Sequence, residues 1–294
     1  MPDYESLFLA NNGTNIFTTL GFLKKIQKCL ERTKYWNVTG CSSLIIFLRV
    51  VGNNYDQILN ILGSFSLMST FINGSSLIPE DELSKKNYIK NWLTDHLKDS
   101  EFFSKDIKLE EVFKKTNLFP NFILWSRSQK KIVCMNPENN PRAKLIDCVM
   151  ASLCYIGVYE EYEFLGETYT NLCGINCFPY EHVYDRENSS QLFIGNTGKY
   201  EDRTVSILGP LCKKEGMIIN QYTEHERYTI EKIFTDLEDK EKVRIYSFYR
   251  RGNLGSEETK TLFELGIEQG SAFLGKQDTE LCKEKYMQKV ESQP

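Results

Sequence analysis

Residues 37–52, NVTGCSSLIIFLRVVG, contain the turn that decides the fold. An apolar lead-in, which predicts a strand over residues 35–39, runs into Gly40, and Ser42 follows two positions later. The helix predicted after this turn is apolar on nearly every side, which is typical of a helix covered by other elements. A serine between a strand and a helix has the form of a nucleophile elbow, usually G-x-S-x-G. Here the pattern is G-C-S-S-L, with Leu44 in place of the second glycine.

The elements around this turn predict an α/β fold with a mostly parallel sheet. Residues 6–10 predict a short buried strand, and apolar residues at helical spacing predict an amphipathic helix over 16–30. The order strand, helix, strand, turn, helix is typical of a parallel sheet. Later predicted elements are helices within 53–115, a hairpin over 121–137, a helix over 143–157, a short strand in a loop-rich segment over 166–180, strands over 203–209 and 242–250, and helices over about 256–274 and 278–290.

Length and composition indicate one ordinary globular domain. The chain has 294 residues, of which 41 % are hydrophobic and 26 % are charged. No repeat or long linker divides it, so we predict a single domain over 1–294, with a core over about 5–275 and a C-terminal helical tail over about 276–294. The formal net charge is −4 and no basic stripe is present, which argues against nucleic acid as a partner. No signal peptide or membrane-spanning segment is expected.

The cysteines and the overall composition predict an intracellular protein. Nine cysteines lie mostly within apolar runs, which favours reduced, buried thiols and a cytoplasmic location. Cys173, Cys177 and His182 have a spacing that matches no common zinc module, so no metal and no cofactor are predicted. The Asn- and Lys-rich composition favours an AT-rich genome, such as that of a large DNA virus or an intracellular organism. A viral origin would allow association with the virion.

Four stretches have a characteristic order along the chain, namely residues 8–26, 38–47, 136–179 and 256–274. In this order they resemble the patatin-like phospholipase family, and the resemblance covers almost the whole chain. The stretches fall where that family has its glycine-rich oxyanion loop and first helix, its elbow, the run into its Asp-Gly-Gly/Ala turn, and its closing helix. The resemblance implies a three-layer α/β/α patatin-like domain with a mostly parallel central sheet. It also implies lipid acyl hydrolysis by a Ser–Asp dyad, in which no histidine takes part.

The resemblance assigns site residues position by position. Ser42 stands at the nucleophile position, and Gly40, Cys41 and Leu44 form the elbow around it. Asn171 stands at the position of the family's aspartate. The oxyanion loop corresponds to Asn11, Asn12, Gly13 and Thr14. Three catalytic elements therefore differ from the family's pattern, since only one loop glycine, the first elbow glycine and the serine are kept.

The change at Asn171 has the largest chemical consequence, because a carboxamide cannot accept the proton of the serine as a base. A replacement carboxylate nearby in sequence is an open alternative. The candidates are Glu160, Glu161, Glu163, Glu167 and Asp185. The three histidines, His96, His182 and His225, lie in no nucleophile-like setting and are interpreted as surface or structural residues.

Two function hypotheses follow. The first is a catalytically inactive patatin-like protein with a structural, assembly or lipid-surface-binding role, whose partner is a lipid or membrane surface, a second copy of the chain or another protein. The second is an active serine lipid acyl hydrolase of the phospholipase A type that uses Ser42. A third class, an unrelated function on a similar α/β scaffold, stays open because fold does not fix function.

Overall fold

The computed structural model describes residues 4–10, 16–65, 82–98, 103–154, 161–172, 179–183, 191–196, 243–248 and 259–275. The described helices are α1 (Ile16–Lys25), α2 (Ser43–Val50), α3 (Tyr55–Ser64), α4 (Glu82–Lys98), α5 (Leu109–Thr116), α6 (Leu145–Ser152) and α7 (259–275). Short 3₁₀ turns lie at Gln27–Leu30, Gly40–Ser42 and Tyr180–His182. The described strands are β1 (Ser6–Leu9), β2 (Tyr35–Val38), β3 (Phe119–Ser126), β4 (Lys131–Met135), β5 (Tyr162–Phe164), β6 (Glu167–Thr170), β7 (Gln191–Asn196) and β8 (Val243–Phe248).

These strands form one sheet with the path β5-β6-β3-β2-β1-β7-β8, and β4 also pairs with β3. The pairs β3–β2, β2–β1, β1–β7 and β7–β8 on this path are parallel. Strands β4, β5 and β6 form antiparallel pairs beside β3. Helices flank this sheet, so the predicted α/β fold with a mostly parallel central sheet is confirmed.

The main core lies between one face of the sheet and the helices. Alternation along β1 places Leu7 and Leu9 on this face, where they join the same hydrophobic cluster as the apolar residues of α2. Residues 44–48 of α2 have no exposed surface, which confirms the expected covered helix. Burying each such side chain contributes about 1.5–3 kcal/mol. Because α2 follows the turn at Ser42 directly, this packing fixes the position of the turn.

The opposite face of the sheet carries a buried row of asparagines. The side-chain amide of Asn121 donates to Asn37 Oδ1 at 2.8 Å, and the amide of Asn136 donates to Asn121 Oδ1 at 3.3 Å. Asn37 in turn donates to the carbonyl oxygen of Leu7 at 3.2 Å. A shift of one residue between strands would move these side chains to the other face and leave them unpaired, so the row favours the observed register.

Helix α7 packs directly against the backbone of α1. A Cβ at Gly266 would overlap the carbonyl oxygen of Thr18, and a Cβ at Gly21 would overlap the carbonyl oxygen of Phe263. The rings of Phe22 and Phe273 lie 5.4 Å apart beside this contact. The two glycines therefore allow a helix approach that any larger residue would prevent.

Helix α6 holds the β5–β6 hairpin in place through a polar cluster. The hydroxyl of Tyr162 in β5 donates to Asp147 Oδ1 of α6 at 2.8 Å. Lys90 of α4 donates to the same hydroxyl at 3.1 Å and lies 3.9 Å from the Asp147 carboxylate. Burial, the hydrogen bond to Asp147 and its charge together raise the pKa of the Tyr162 phenol well above its usual range.

The structure corrects the expected elements in three places. The predicted helix over 16–30 ends at Lys25 and continues as the 3₁₀ turn Gln27–Leu30. Strand β7 was not predicted, although it is the direct neighbour of β1. Strand β5 was also missed, so the segment expected to hold one short strand is half of a hairpin.

Some expectations lie outside the described residues, namely the strand over 203–209, the helix over 278–290 and the C-terminal tail. The division into a single domain stays a prediction. Within the described ranges, no helix is both long enough and apolar enough to cross a bilayer.

Candidate functional site

The candidate site is centred on the junction between β2 and α2. Strand β2 ends at Val38, and Gly40 follows with φ of 54° in the left-handed region. Ser42 ends the 3₁₀ turn with φ −64° and ψ −18°, directly before the first residue of α2. Ser42 therefore lies at a strand-to-helix junction, but Gly40 is the residue that has the unusual backbone conformation.

The hydroxyl of Ser42 is fully buried and already forms a hydrogen bond. It donates to the carbonyl oxygen of Ala10 at 2.6 Å. Ala10 directly follows β1, and its N–H donates to the carbonyl oxygen of Ile194 in β7. The N–H of Thr39 donates to the carbonyl oxygen of Leu9 at 3.1 Å. Ser42 is thus one part of a set of hydrogen bonds that joins the carboxyl ends of β1, β2 and β7.

This geometry differs from that of a nucleophile elbow. In an elbow, the serine has the strained backbone conformation and its Oγ is exposed above the sheet. Here Ser42 has ordinary helical angles and no exposed surface. Leu44, at the position of the second elbow glycine, is also fully buried as part of α2.

Asn171 lies at the same edge of the sheet as this junction. Strand β4 pairs with residues 122–126 along one side of β3, so β2 and β6 share the other side. Val38 ends β2 opposite Phe122, and β6 ends three residues further along β3, opposite Trp125. Since β6 runs antiparallel, the chain then heads back towards the end of β2. At about 3.3 Å per residue, Asn171 lies within about 10 Å of Val38 along the strand direction.

The side chain of Asn171 is buried, with 6 % of the residue exposed. Its carboxamide can donate and accept hydrogen bonds, but it offers no basic atom for the serine proton. The structure thus brings Ser42 and Asn171, the two positions that the resemblance assigns to the dyad, to one edge of the sheet.

The structure describes three of the carboxylates that were candidates for a replacement base, and it shows a hydrogen bond, an ion pair or a strand position for each of them. Glu167 begins β6, four residues before Asn171, and accepts hydrogen bonds from Ser126 and Ser128. Glu161 forms an ion pair of 2.8 Å with Arg127. Glu163, in the middle of β5, pairs with Thr168 across the hairpin. Glu160 and Asp185 lie outside the described residues.

Two further hydroxyl groups flank Ser42, and sequence reasoning missed them. Thr39 Oγ1 and Ser43 Oγ are buried and have no hydrogen-bond partner in the described part of the chain. Buried polar groups nearly always form hydrogen bonds, so two buried hydroxyls without a described partner at one turn are unusual. Three hydroxyl residues within T-G-C-S-S, inside an otherwise apolar stretch, were the available signal.

Cys41 separates Gly40 from Ser42 at the same turn. Burial raises the pKa of its thiol to about 12. It therefore stays protonated at neutral pH and does not provide a thiolate nucleophile.

Most of the other predicted site residues lie outside the part of the chain that the structure describes. The oxyanion-loop positions Asn11, Asn12, Gly13 and Thr14 lie outside the described residues, as do Cys173, Cys177 and His225. His96 packs its ring against Trp92 with the centroids 4.4 Å apart, and the backbone of His182 accepts a long contact from Cys134 Sγ. Among the described residues, no group of three or more His, Cys, Asp or Glu side chains is arranged to hold a metal ion.

Comparison with known proteins identifies the fold. No family model and no curated protein matches the sequence. The structure is similar to that of VipD from Legionella pneumophila, with a TM-score of 0.54 and 10 % identity over 94 % of this chain and 67 % of VipD. It is also similar to the type III effector protein ExoU, with a TM-score of 0.45 and 10 % identity over 94 % of this chain and 53 % of ExoU.

A second ExoU structure, its heterodimeric complex with SpcU from Pseudomonas aeruginosa, gives a TM-score of 0.46 and 12 % identity over 94 % of this chain and 52 % of that one. This chain thus spans about half of the ExoU chains. The likeness to VipD confirms the predicted fold class, a patatin-like α/β domain, and it shows the fold alone. Viral origin, catalytic state and location stay predictions.

Proposed function

We propose that this chain is a non-catalytic patatin-like protein that binds lipid at the carboxyl edge of its sheet, where β1, β2 and β3 end. One observation carries the non-catalytic part. The Ser42 hydroxyl, with no exposed surface, donates its proton to the carbonyl oxygen of Ala10 at 2.6 Å.

Hydrolysis through a serine needs an accessible hydroxyl and a base that takes its proton. The carbonyl oxygen of Ala10 is a hydrogen-bond acceptor and not a base. Asn171, at the position of the aspartate, cannot take the proton either. In a Ser-His-Asp triad, replacing the aspartate by asparagine lowers turnover about 10⁴-fold, although that aspartate is not the direct base. The loss here is expected to be at least as large.

The lipid part rests on the fold and on the two unpartnered hydroxyls. The family that the sequence resembles acts on acyl lipids, and open α/β sheets bind ligands outside the carboxyl ends of their strands. Thr39 Oγ1 and Ser43 Oγ lie at this edge, buried and without a partner among the described residues. Neither oxygen has exposed surface, so an ordered water at the turn would satisfy them and could in turn accept a hydrogen bond from, or donate one to, a polar ligand group. We therefore favour a retained ligand site over a purely structural role.

The catalytic half of the proposal is tested by labelling with a fluorophosphonate probe. Wild type and Ser42→Ala are compared beside a known serine hydrolase as positive control. We expect no labelling above that of Ser42→Ala. Rapid, stoichiometric labelling that depends on Ser42 would overturn the proposal and favour the active acyl hydrolase.

The binding half is tested with a soluble short-chain phosphatidylcholine, followed by calorimetry and by analysis for released fatty acid. We expect saturable binding without hydrolysis. Thr39→Val removes one unpartnered hydroxyl at nearly constant volume, so it should weaken binding without lowering the melting temperature. Absence of saturable binding, or equal binding by Thr39→Val, would remove the lipid site from this edge.

A further inference from the structure

Two hairpin tips project beyond the carboxyl edge of the sheet. One tip is residues 127–130, between β3 and β4, and the other is Leu165–Gly166, between β5 and β6. Ser126 pairs with Lys131 on one side and with Tyr169 on the other, so the two hairpins lie side by side. We call these two turns, with Lys131, the hairpin tips.

Each tip holds a residue that its turn conformation does not favour. Lys130 has φ of 51° and Leu165 has φ of 53°, both in the left-handed region. Glycine and asparagine are the usual residues there, because a larger side chain crowds the backbone. The other described non-glycine residue with positive φ is Asn117, which ends α5 and is a usual choice for that position. Residues kept in unfavourable conformations often lie at functional surfaces.

The side chains at these tips combine an exposed apolar group with two lysines that form no ion pair within the described ranges. Leu165 is 55 % exposed, and within the described ranges no other large hydrophobic side chain is classed as exposed. Lys130 and Lys131 are exposed, and neither forms a salt bridge within the described part of the chain. Of the neighbouring carboxylates, Glu161 is paired with Arg127 and Glu167 accepts from serine hydroxyls. Glu167 keeps its charge, since its donors are neutral. Glu167 and exposed Glu163 are therefore the negative charges of this hairpin that no ion pair compensates within the described residues, and both lie behind the tips on their strands.

We propose that the hairpin tips form the contact surface for an anionic lipid bilayer. Leu165 enters the boundary between headgroups and acyl chains, and Lys130 and Lys131 lie at the phosphate level, which is the combination that surface-bound proteins use. The proposal rests on the lipid-binding function proposed above and names the surface that brings lipid to it.

The position of the tips relative to the junction supports this orientation. Val38 ends β2 opposite Phe122, and the tip after Ser126 begins four residues further along β3. At about 3.3 Å per residue, the tips extend about 13 Å past the end of β2. A bilayer that rests on the tips would therefore face the edge that carries Ser42 and Asn171.

The test measures co-flotation of the full chain with phosphatidylcholine vesicles, with and without about 30 % phosphatidylserine as the anionic lipid. Leu165→Asn creates an Asn-Gly pair with Gly166, the preferred sequence for a two-residue hairpin, so the fold should be kept or stabilised. We expect it to weaken binding to anionic vesicles about fivefold or more. Lys130→Asn suits its backbone conformation as well, and it should weaken the same binding about fivefold, since one cation near an anionic surface is lost.

The matched control is Lys28→Asn, which removes one exposed lysine from the turn before β2, at the opposite edge of the sheet. It should bind like wild type. Equal binding by all variants, stronger binding to neutral vesicles, or no binding of wild type to either vesicle would overturn the contact surface. These outcomes leave the proposed function to its own test, because that test uses soluble lipid and needs no bilayer.

Discussion

The hydroxyl of Ser42 and the carbonyl oxygen of Ala10 are joined by a hydrogen bond of 2.6 Å inside the protein. Ala10 directly follows β1 and Ser42 directly precedes α2. A residue that stands at a nucleophile position in sequence thus has a structural partner, and the bond joins two elements that meet at the candidate site.

The first prediction is that Ser42→Ala lowers the free energy of unfolding by about 1–3 kcal/mol, because it leaves a buried carbonyl without its donor. Ser43→Ala is the matched control. That side chain is equally buried, but its hydroxyl has no partner among the described residues, so stability should stay the same or rise. Urea unfolding of both variants measures the difference. Equal stability changes would contradict the structural role of the Ser42 hydroxyl.

The second prediction concerns the contact between α1 and α7. Gly266→Ala should cost about 3 kcal/mol or more, because the new methyl group would overlap the backbone oxygen of Thr18, which cannot move without moving α1. Gly63→Ala is the control, since a Cβ at this helical position meets nothing within 4 Å. It should raise stability by up to about 1 kcal/mol through helix propensity.

Thermal unfolding of the two variants checks this prediction. A Gly266→Ala variant as stable as wild type would show that α7 does not pack against α1 in this way.

The sequence predicted the part of the fold that depends on local pattern. Strand β1, helix α2 and the β3–β4 hairpin follow from apolar alternation and from turn residues, and the structure contains all three. Strand β7 was missed because QLFIGN is short, and its placement beside β1 depends on pairing with residues far away in sequence. Such long-range pairing leaves little local signal.

The sequence predicted Ser42 at a strand-to-helix turn, and the structure has Ser42 at such a junction. The roles that the resemblance assigns to Ser42 and Asn171 stay predictions. The sequence pattern could not show that the Ser42 side chain is buried, or which atom its hydroxyl contacts. A G-x-S motif does not reveal that a 3₁₀ turn starts at Gly40, or that the hydroxyl of Ser42 donates a hydrogen bond to a backbone carbonyl.

The third prediction concerns pH. The pKa of Tyr162 is raised by burial and by Asp147, so the neutral phenol is favoured in the folded state. A group whose folded pKa is raised contributes stability that is present below its unfolded value, about 10, and that is lost as pH rises above it. The free energy of unfolding should therefore fall with rising pH in this alkaline range. Tyr162→Phe should reduce that slope.

Urea unfolding at a series of alkaline pH values, with ultraviolet absorbance to follow phenolate formation, checks the sign. Asp147→Asn is a useful comparison, because it removes the neighbouring charge and keeps the burial. Its slope should lie between those of wild type and Tyr162→Phe. A slope in Tyr162→Phe as steep as in wild type would contradict the assigned cause.

The fourth prediction is that Asn171→Asp alone does not produce turnover. The new carboxyl group would be buried, so desolvation would raise its pKa and favour the protonated form. Even when ionised, it would have to take the proton of a serine hydroxyl that already donates a hydrogen bond to Ala10. The position with elbow-like backbone geometry is Gly40, where no hydroxyl stands. We therefore expect ester hydrolysis only when Asn171→Asp is combined with Gly40→Ser.

Hydrolysis of a short-chain ester by wild type, by each single variant and by the combination measures this, with circular dichroism to confirm that each variant folds. A serine with positive φ is strained, so the combined variant should be less stable than Asn171→Asp, as expected for an elbow. Turnover on the order of 10 s⁻¹ in Asn171→Asp alone would contradict the prediction. It would mean that Ser42 leaves Ala10 readily, and that a missing base was the only obstacle to catalysis.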